Sequence, residues 1–202
     1  MGAHDGTGFR TVVFLQGCPN SCIYCHNPDT WAASGGEGIT EKELFSRVMR
    51  YYPYFKRTGG VTVSGGEPLL QTDFCIAFFD LLKGAGVHTC LDTSGTLVTD
   101  RTKRLLELSD LVLLDIKHFD RDGFMKLTGS PSARYDDFLK FYRLCKDLKK
   151  ELVLRQVKVP GYTDGPEYAK KLKELYNDKI EFLEFHDMGR EKWQRSGLDY
   201  KF

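Results

Sequence analysis

The sequence predicts an α/β fold: an open partial (β/α)6 barrel with a parallel sheet. Three observations lead there. Apolar strand-like runs recur six times along 202 residues, each followed by a helical pattern or a polar loop. The runs are continuously apolar, as in strands covered on both faces, where a half-exposed strand would alternate. Six units are too few to close an eight-stranded barrel, and no G-x-G-x-x-G run follows any strand to suggest a dinucleotide-binding fold.

The first strand is Arg10 to Gln16, ending at a cysteine-bearing loop. A helix starts at Thr40, whose capping box with Glu43 precedes Leu44, Phe45, Val48, Met49 and Tyr52 on one face. Gly60 to Ser64 is the second strand, and Thr72 to Lys83 the next helix, closed by Gly84. Val87 to Leu91 is the third strand, followed by a short helix over Asp100 to Leu108. Leu111 to Leu114 is the fourth, followed by a longer loop and a helix over Tyr135 to Lys149. Leu152 to Val159, a helix over Pro166 to Tyr176, and Ile180 to Phe185 complete the series. No linker or low-complexity segment divides the chain, so residues 1–202 are expected to form one domain.

Composition narrows the function classes. A formal charge of +1 disfavours a nucleic-acid binder that works through bulk electrostatics. No apolar run reaches the length of a membrane span, which predicts a soluble chain. Six cysteines in 202 residues are too sparse for a stapled secreted scaffold. Without a targeting segment, reduced thiols point to the cytoplasm.

Three of those cysteines, Cys18, Cys22 and Cys25, form a C-x3-C-x2-C run on one short loop, with no fourth cysteine nearby. A [4Fe-4S] cluster normally takes four thiolates, so three leave one iron open to a small molecule. Structural zinc on the same cysteines plus His26 is the competing reading, although such modules usually pair C-x2-C units across a longer knuckle. Cys75, Cys90 and Cys145 lie in apolar stretches and read as small core residues.

In barrels of this kind chemistry gathers at the carboxyl ends of the strands. All six strands deliver unusual residues there. After the cysteines come Ser64-Gly65-Gly66-Glu67-Pro68, then Asp92-Thr93-Ser94-Gly95, then Asp115 with Lys117, then Arg155 within the fifth strand, and finally His186. Each has an ordinary alternative: a plain turn, helix caps at Asp92 and Asp115, a surface lysine, an arginine paired with Glu151, a satisfied histidine. Their coincidence on six strands favours a site.

With these motifs together the chain resembles the radical S-adenosylmethionine (SAM) superfamily, and most of all its glycyl radical enzyme activases. The likeness rests on Tyr24-Cys25-His26-Asn27-Pro28-Asp29-Thr30-Trp31, Val63 to Glu67, His88 to Gly95, Leu114-Asp115-Ile116-Lys117, Leu127-Thr128-Gly129 and Val159-Pro160-Gly161. Between Cys25 and Gly65 no cysteine occurs, unlike relatives that carry a ferredoxin-like insert there. The run Asp5 to Arg10 looks like the family's Asp-Gly-Pro-Gly-Ile-Arg with Thr7 in place of proline, and both termini are expected to be shorter than usual.

The resemblance implies a [4Fe-4S] cluster on Cys18, Cys22 and Cys25, with SAM chelating the open iron. Gly65 and Gly66 would let the backbone approach the amino group of SAM, with Glu67 orienting that turn. Tyr24 and His26 would flank the adenine, with main-chain contacts from Cys25. Asp115, Ile116 and Lys117 would hold the ribose and carboxylate end. Arg155 would hold the charged end of the ligand or an adjacent carboxylate, and His186 would close the adenine side. A monovalent cation, Na or K, would sit among Asp92, Thr93, Asp115 and the Leu113 carbonyl. The reactive species would be a 5'-deoxyadenosyl radical, so no catalytic acid or base is expected. The implied partners are a glycyl radical enzyme, pyruvate formate-lyase first, and a low-potential electron donor such as flavodoxin or ferredoxin, with the chain itself a monomer. An activase of a different glycyl radical enzyme, or a non-catalytic zinc-binding module, are the alternatives.

Overall fold

The computed structural model describes residues 6–202. Asp5 and the residues before it, where part of the expected amino-terminal motif falls, lie outside the described residues. Six strands form one sheet: β1 (Arg10–Leu15), β2 (Gly60–Gly65), β3 (His88–Thr93), β4 (Leu111–Asp115), β5 (Glu151–Lys158) and β6 (Lys179–Glu184). They lie in chain order with every neighbouring pair parallel. β1 and β6 occupy the two edges, so the sheet is open, as the sequence predicted.

The helices are α1 (Glu41–Met49), α2 (Tyr52–Phe55), α3 (Thr72–Gly84), α4 (Thr102–Leu108), α5 (Arg121–Thr128), α6 (Ala133–Asp147), α7 (Pro166–Leu175) and α8 (Arg190–Arg195). The Thr40–Glu43 capping box is formed in both directions and starts α1. Tyr52 does not continue that helix; it opens the separate turn α2 with Pro53 in its first turn. Gly84 is the last residue of α3, and the left-handed residue that turns the chain into β3 is Gly86, with φ of 68°.

α5 falls in the stretch expected to be loop. Its Asp120 cap accepts from the Gly123 amide, and Gly129 closes it in the left-handed conformation. α8 is the other unexpected helix and carries the buried Trp193.

The main core lies between the sheet and its covering helices. Val61, Val63, Leu91, Val112, Leu114 and Leu154 from the strands are fully buried against Phe78, Phe79, Leu82, Leu105, Phe124 and Phe141 from the helices. Fully burying each such side chain contributes roughly 1.5–3 kcal/mol, which fixes the strand ends that carry polar residues. Cys75, Cys90 and Cys145 are fully buried, as predicted for small core residues. Among the described residues no helix is long and apolar enough to cross a membrane.

Candidate active site

The polar strand ends converge on one cavity of about 310 Å³. Cys18, Cys22, Tyr24, Cys25 and His26 line it from the loop after β1, and Gly65 and Gly66 from the end of β2. Asp92, Thr93, Asp115, Lys117, Arg155 and His186 also line it. Three predicted site residues do not reach it. Glu67 is buried behind the wall, Ile116 is buried with its amide bonded to the Arg155 carbonyl at 2.8 Å, and Leu113, expected to act through its carbonyl, has its side chain buried in the sheet.

The cysteine loop is held from several directions. Gly17 N and Cys18 N donate to the Thr30 and Trp31 carbonyls at 2.8 and 3.1 Å. Ser21 N and Ile23 N donate to the carbonyls of Thr128 and Leu127 at 2.7 and 2.9 Å, so α5 forms the floor under the loop. Asn20, 1% exposed between two of the cysteines, donates to Ser94 Oγ and Thr96 Oγ1 and accepts from Ser130 Oγ. The sequence reading passed over Asn20, although a carboxamide amid three cysteines was its one available signal.

The glycine turn has a reason within the fold, beside the one expected. A Cβ on Gly65, at φ of 121°, would stand 2.2 Å from Leu15 N, and one on Gly66 would stand 2.1 Å from the Gly17 carbonyl oxygen. These glycines are required by the close passage of β1 and the cysteine loop, before any ligand is considered. Glu67 then ties the turn to β3, accepting from Thr93 Oγ1, Ser94 N, Ser94 Oγ and Leu69 N. That is the orienting role expected of it, exercised from outside the cavity.

Across the cavity, Arg155 bridges two carboxylates. Its Nε donates to Asp115 Oδ1 at 2.8 Å, and its Nη2 pairs with Asp92. Ser64 Oγ donates to the other Asp92 oxygen at 2.8 Å, and Lys117 Nζ to the other Asp115 oxygen at 3.0 Å. Neither aspartate caps a helix, and Arg155 does not pair with Glu151. Burial alone would raise the Asp115 carboxyl, but Arg155 and Lys117 bring it down to about 2. Burial works against the Lys117 ammonium as well, yet Asp115 beside it holds its pKa well above the usual lysine range. The Lys117 ammonium lies 5.8 Å from the centre of the Tyr24 ring.

The two histidines form the opposite rim. Their rings stack with centroids 3.9 Å apart, and the His26 Nε2 meets the His186 carbonyl at 2.9 Å. Burial lowers the pKa of His26, so it stands neutral and flat, suited to lie beside a planar ring.

The donor set fits an iron–sulfur cluster better than a single ion. All three loop cysteines are free thiols facing the cavity, and the other three are buried in the core. Among the described residues no three His, Cys, Asp or Glu side chains converge closely enough for one metal ion. A cubane makes the opposite demand, with thiolates spread over separate irons. His26, the fourth ligand of the zinc alternative, instead engages the His186 carbonyl. Burial pushes the Cys18 and Cys22 thiols up to about 12, so ligation would release protons as the irons replace them.

A family profile described as the Radical SAM superfamily matches residues 12–180. The pyruvate formate-lyase-activating enzyme of Clostridium pasteurianum is 45% identical over 207 residues, spanning 100% of this chain and 85% of its own. The enzyme of the same name from Staphylococcus epidermidis is 44% identical over 214 residues, spanning 100% and 84%. Among solved structures, Streptococcus suis SuiB bound to the precursor peptide SuiA superposes with a TM-score of 0.70 at 15% identity, over 96% of this chain and 42% of that one, a likeness of fold. By profile and by full-length identity, the chain belongs to the radical SAM superfamily and, within it, to the family of the pyruvate formate-lyase-activating enzymes.

Proposed function

We propose that this protein activates a glycyl radical enzyme, pyruvate formate-lyase first, from a single radical SAM domain. The observation that carries the reading is the one cavity in which three thiols of a single loop face the Gly65–Gly66 turn, the Asp115–Lys117 pair and the stacked histidines. Membership of the family brings SAM and an iron–sulfur cluster with it. When bound, the reduced cluster would supply one electron to SAM, breaking a carbon–sulfur bond to give methionine and a 5'-deoxyadenosyl radical that takes a hydrogen atom from a backbone glycine of the partner.

The residues of the chain bind, orient and shield. Cys18, Cys22 and Cys25 hold the cluster and leave one iron open. Tyr24, His26 and His186 offer flat surfaces for the adenine, and the main chain at Cys25 lies beside them. Asp115 and Lys117 offer an acceptor and a donor to the ribose and the carboxylate end. Ile116 and Glu67 act from behind, one fixing the loop after β4 and the other the glycine turn. Arg155 supplies positive charge between Asp92 and Asp115, where a monovalent cation held also by Thr93 and the Leu113 carbonyl belongs to the same reading; a ligand carboxylate arriving there would share the guanidinium. Flavodoxin or ferredoxin would deliver the electron to a monomer in the cytoplasm.

The test is anaerobic. Reduced, cluster-loaded protein is mixed with SAM and pyruvate formate-lyase, and the glycyl doublet is sought by EPR, with methionine and 5'-deoxyadenosine formed in step. SAM cleavage without a doublet on that lyase, but with one on another, would transfer the assignment to a different partner. A colourless protein holding zinc would remove it.

A further inference from the structure

We infer that Asn20 is a positioning residue, whose buried carboxamide sets the separation of the Cys18 and Cys22 thiolates before iron arrives. The inference rests on the cluster assignment proposed above. Its starting point is a difference between the two spacers of the cysteine loop. The shorter spacer closes on itself, with Cys25 N donating to the Cys22 carbonyl at 3.0 Å. Trp193 of α8 fastens its far end, donating Nε1 to the Cys25 carbonyl at 2.7 Å. Among the described residues no backbone–backbone bond closes the longer spacer, Pro19-Asn20-Ser21, on itself. It is held from outside.

Each residue of that spacer is tied to another part of the chain. Ser21 N donates to the Thr128 carbonyl at 2.7 Å. Ser130 Oγ shares its hydrogen between Asn20 Oδ1 at 2.8 Å and the Pro19 carbonyl at 3.1 Å. Asn20 Nδ2 gives one hydrogen to Ser94 Oγ at 3.2 Å and the other to Thr96 Oγ1 at 3.0 Å. One side chain, 1% exposed, thus binds the cysteine loop to the segment after β3 and to the segment after α5.

The direction of these bonds explains why the residue is asparagine. The Glu67 carboxylate can only accept, so it takes the hydrogen of Ser94 Oγ and leaves that oxygen to accept from Asn20. On the other side the Pro19 carbonyl can only accept, so Ser130 donates, and Asn20 must offer it an oxygen. A carboxylate at this position would lack the donors, and an aliphatic side chain would lack both. Glu67 also donates its own amide to the Gly17 carbonyl at 2.7 Å. Cys18 is therefore bracketed by Gly17 and Asn20, both anchored to Glu67, one directly and one through Ser94. Outer groups that fix the course of a metal ligand typically carry about 10–100-fold in metal affinity.

The experiment follows iron release from the cluster-loaded protein to bathophenanthroline, without oxygen or SAM, well below the melting temperature of each metal-free variant. Asn20→Leu keeps the volume and removes all three carboxamide bonds, and release should become about tenfold faster. Thr96→Val removes one acceptor, 76 residues from Asn20 and outside the cavity lining, and should move the rate the same way by less. Thr96→Ser keeps the hydroxyl and should release iron at the wild-type rate. A role in folding alone would lower the melting temperature of both Thr96 variants without separating their release rates. That result, or a wild-type rate in Asn20→Leu, would overturn the inference. Should Asn20→Leu fail to fold, the Thr96 pair decides; a folded Asn20→Leu protein that takes up no iron would support the inference in its strongest form. A wild-type protein that binds no cluster would instead overturn the functional reading itself.

Discussion

Replacing Arg155 with methionine keeps most of the side chain's length and removes the cation that joins β3 to β4 across the cavity wall. In the wild type the guanidinium and both aspartates are largely shielded: the side chains of Arg155 and Asp92 are each 10% exposed and that of Asp115 is 26% exposed. The fall of the Asp115 carboxyl from 3.8 to about 2 corresponds to about 2 kcal/mol of stability at neutral pH. Lys117 would retain part of that, but Asp92 would lose its charged partner beside a second carboxylate. Removing one member of such a buried pair typically costs about 3 kcal/mol or more, a fall of roughly 6–12 °C in the melting temperature for a chain of this size. Because the folded pKa of Asp115 lies below its unfolded value, its contribution is complete above about pH 4 and is lost as pH falls through 2. In the variant the two crowded carboxyls would protonate at higher pH and relieve their own repulsion. The gap between wild type and Arg155→Met, measured by denaturant unfolding of the metal-free protein, should therefore be widest at pH 7 and narrow towards pH 3. A gap that stays constant over that range would mean that packing of the arginine stem, and not its charge, sets the loss.

Three further outcomes are expected. Cys22→Ala should abolish cluster assembly while Cys75→Ala preserves it, read from iron and sulfide content; the reverse pattern would misplace the ligands. Gly66→Val should lower the stability of the metal-free protein by about 2 kcal/mol or more, because the new side chain meets the Gly17 carbonyl and displaces the cysteine loop. A Gly66→Val protein that melts normally, binds its cluster and merely fails to respond to SAM would show that ligand approach, and not the backbone clash, requires glycine there. Lys117→Ala should keep the cluster but weaken the spectral response to SAM and the glycyl radical yield; loss of cluster assembly in that variant would count against its assignment to the ligand.

Much of this was legible in the sequence, and the misses have physical causes. Continuous apolar runs located all six strands, since strands buried on both faces leave no other pattern. Strand ends drifted: Asp92, Thr93, Asp115 and Gly65 are the last residues of their strands and not part of the loops that follow. Helix α5 was hidden by Gly123 in its first turn, a poor helix former. The structure explains that glycine, because a Cβ there would stand 2.1 Å from His118 Nδ1. The three cysteines and the polar strand ends were found because a single loop, or a single strand, carries each. That Arg155 holds a carboxylate was legible, but not which ones, since Asp115 and Asp92 lie 40 and 63 residues away and a charge alone does not name its counter-ion. The backbone clash that requires glycine at Gly65 and Gly66 was not legible, since sequence shows where a side chain is missing, not which neighbour forbids it.

The hydrogen bond from Trp193 to the Cys25 carbonyl joins residues 168 positions apart, and this sets an order of events at the ribosome. The helix that covers the three thiols is synthesised well after them. At roughly 5–20 residues per second, the loop emerges about 8–34 s before its cover exists. Its floor in α5, reached by Ser21 and Ile23, arrives between the two. During that interval the cysteines are open to oxidants and to stray metal ions. Until α8 docks, the cysteine loop lacks the cover that Trp193 supplies.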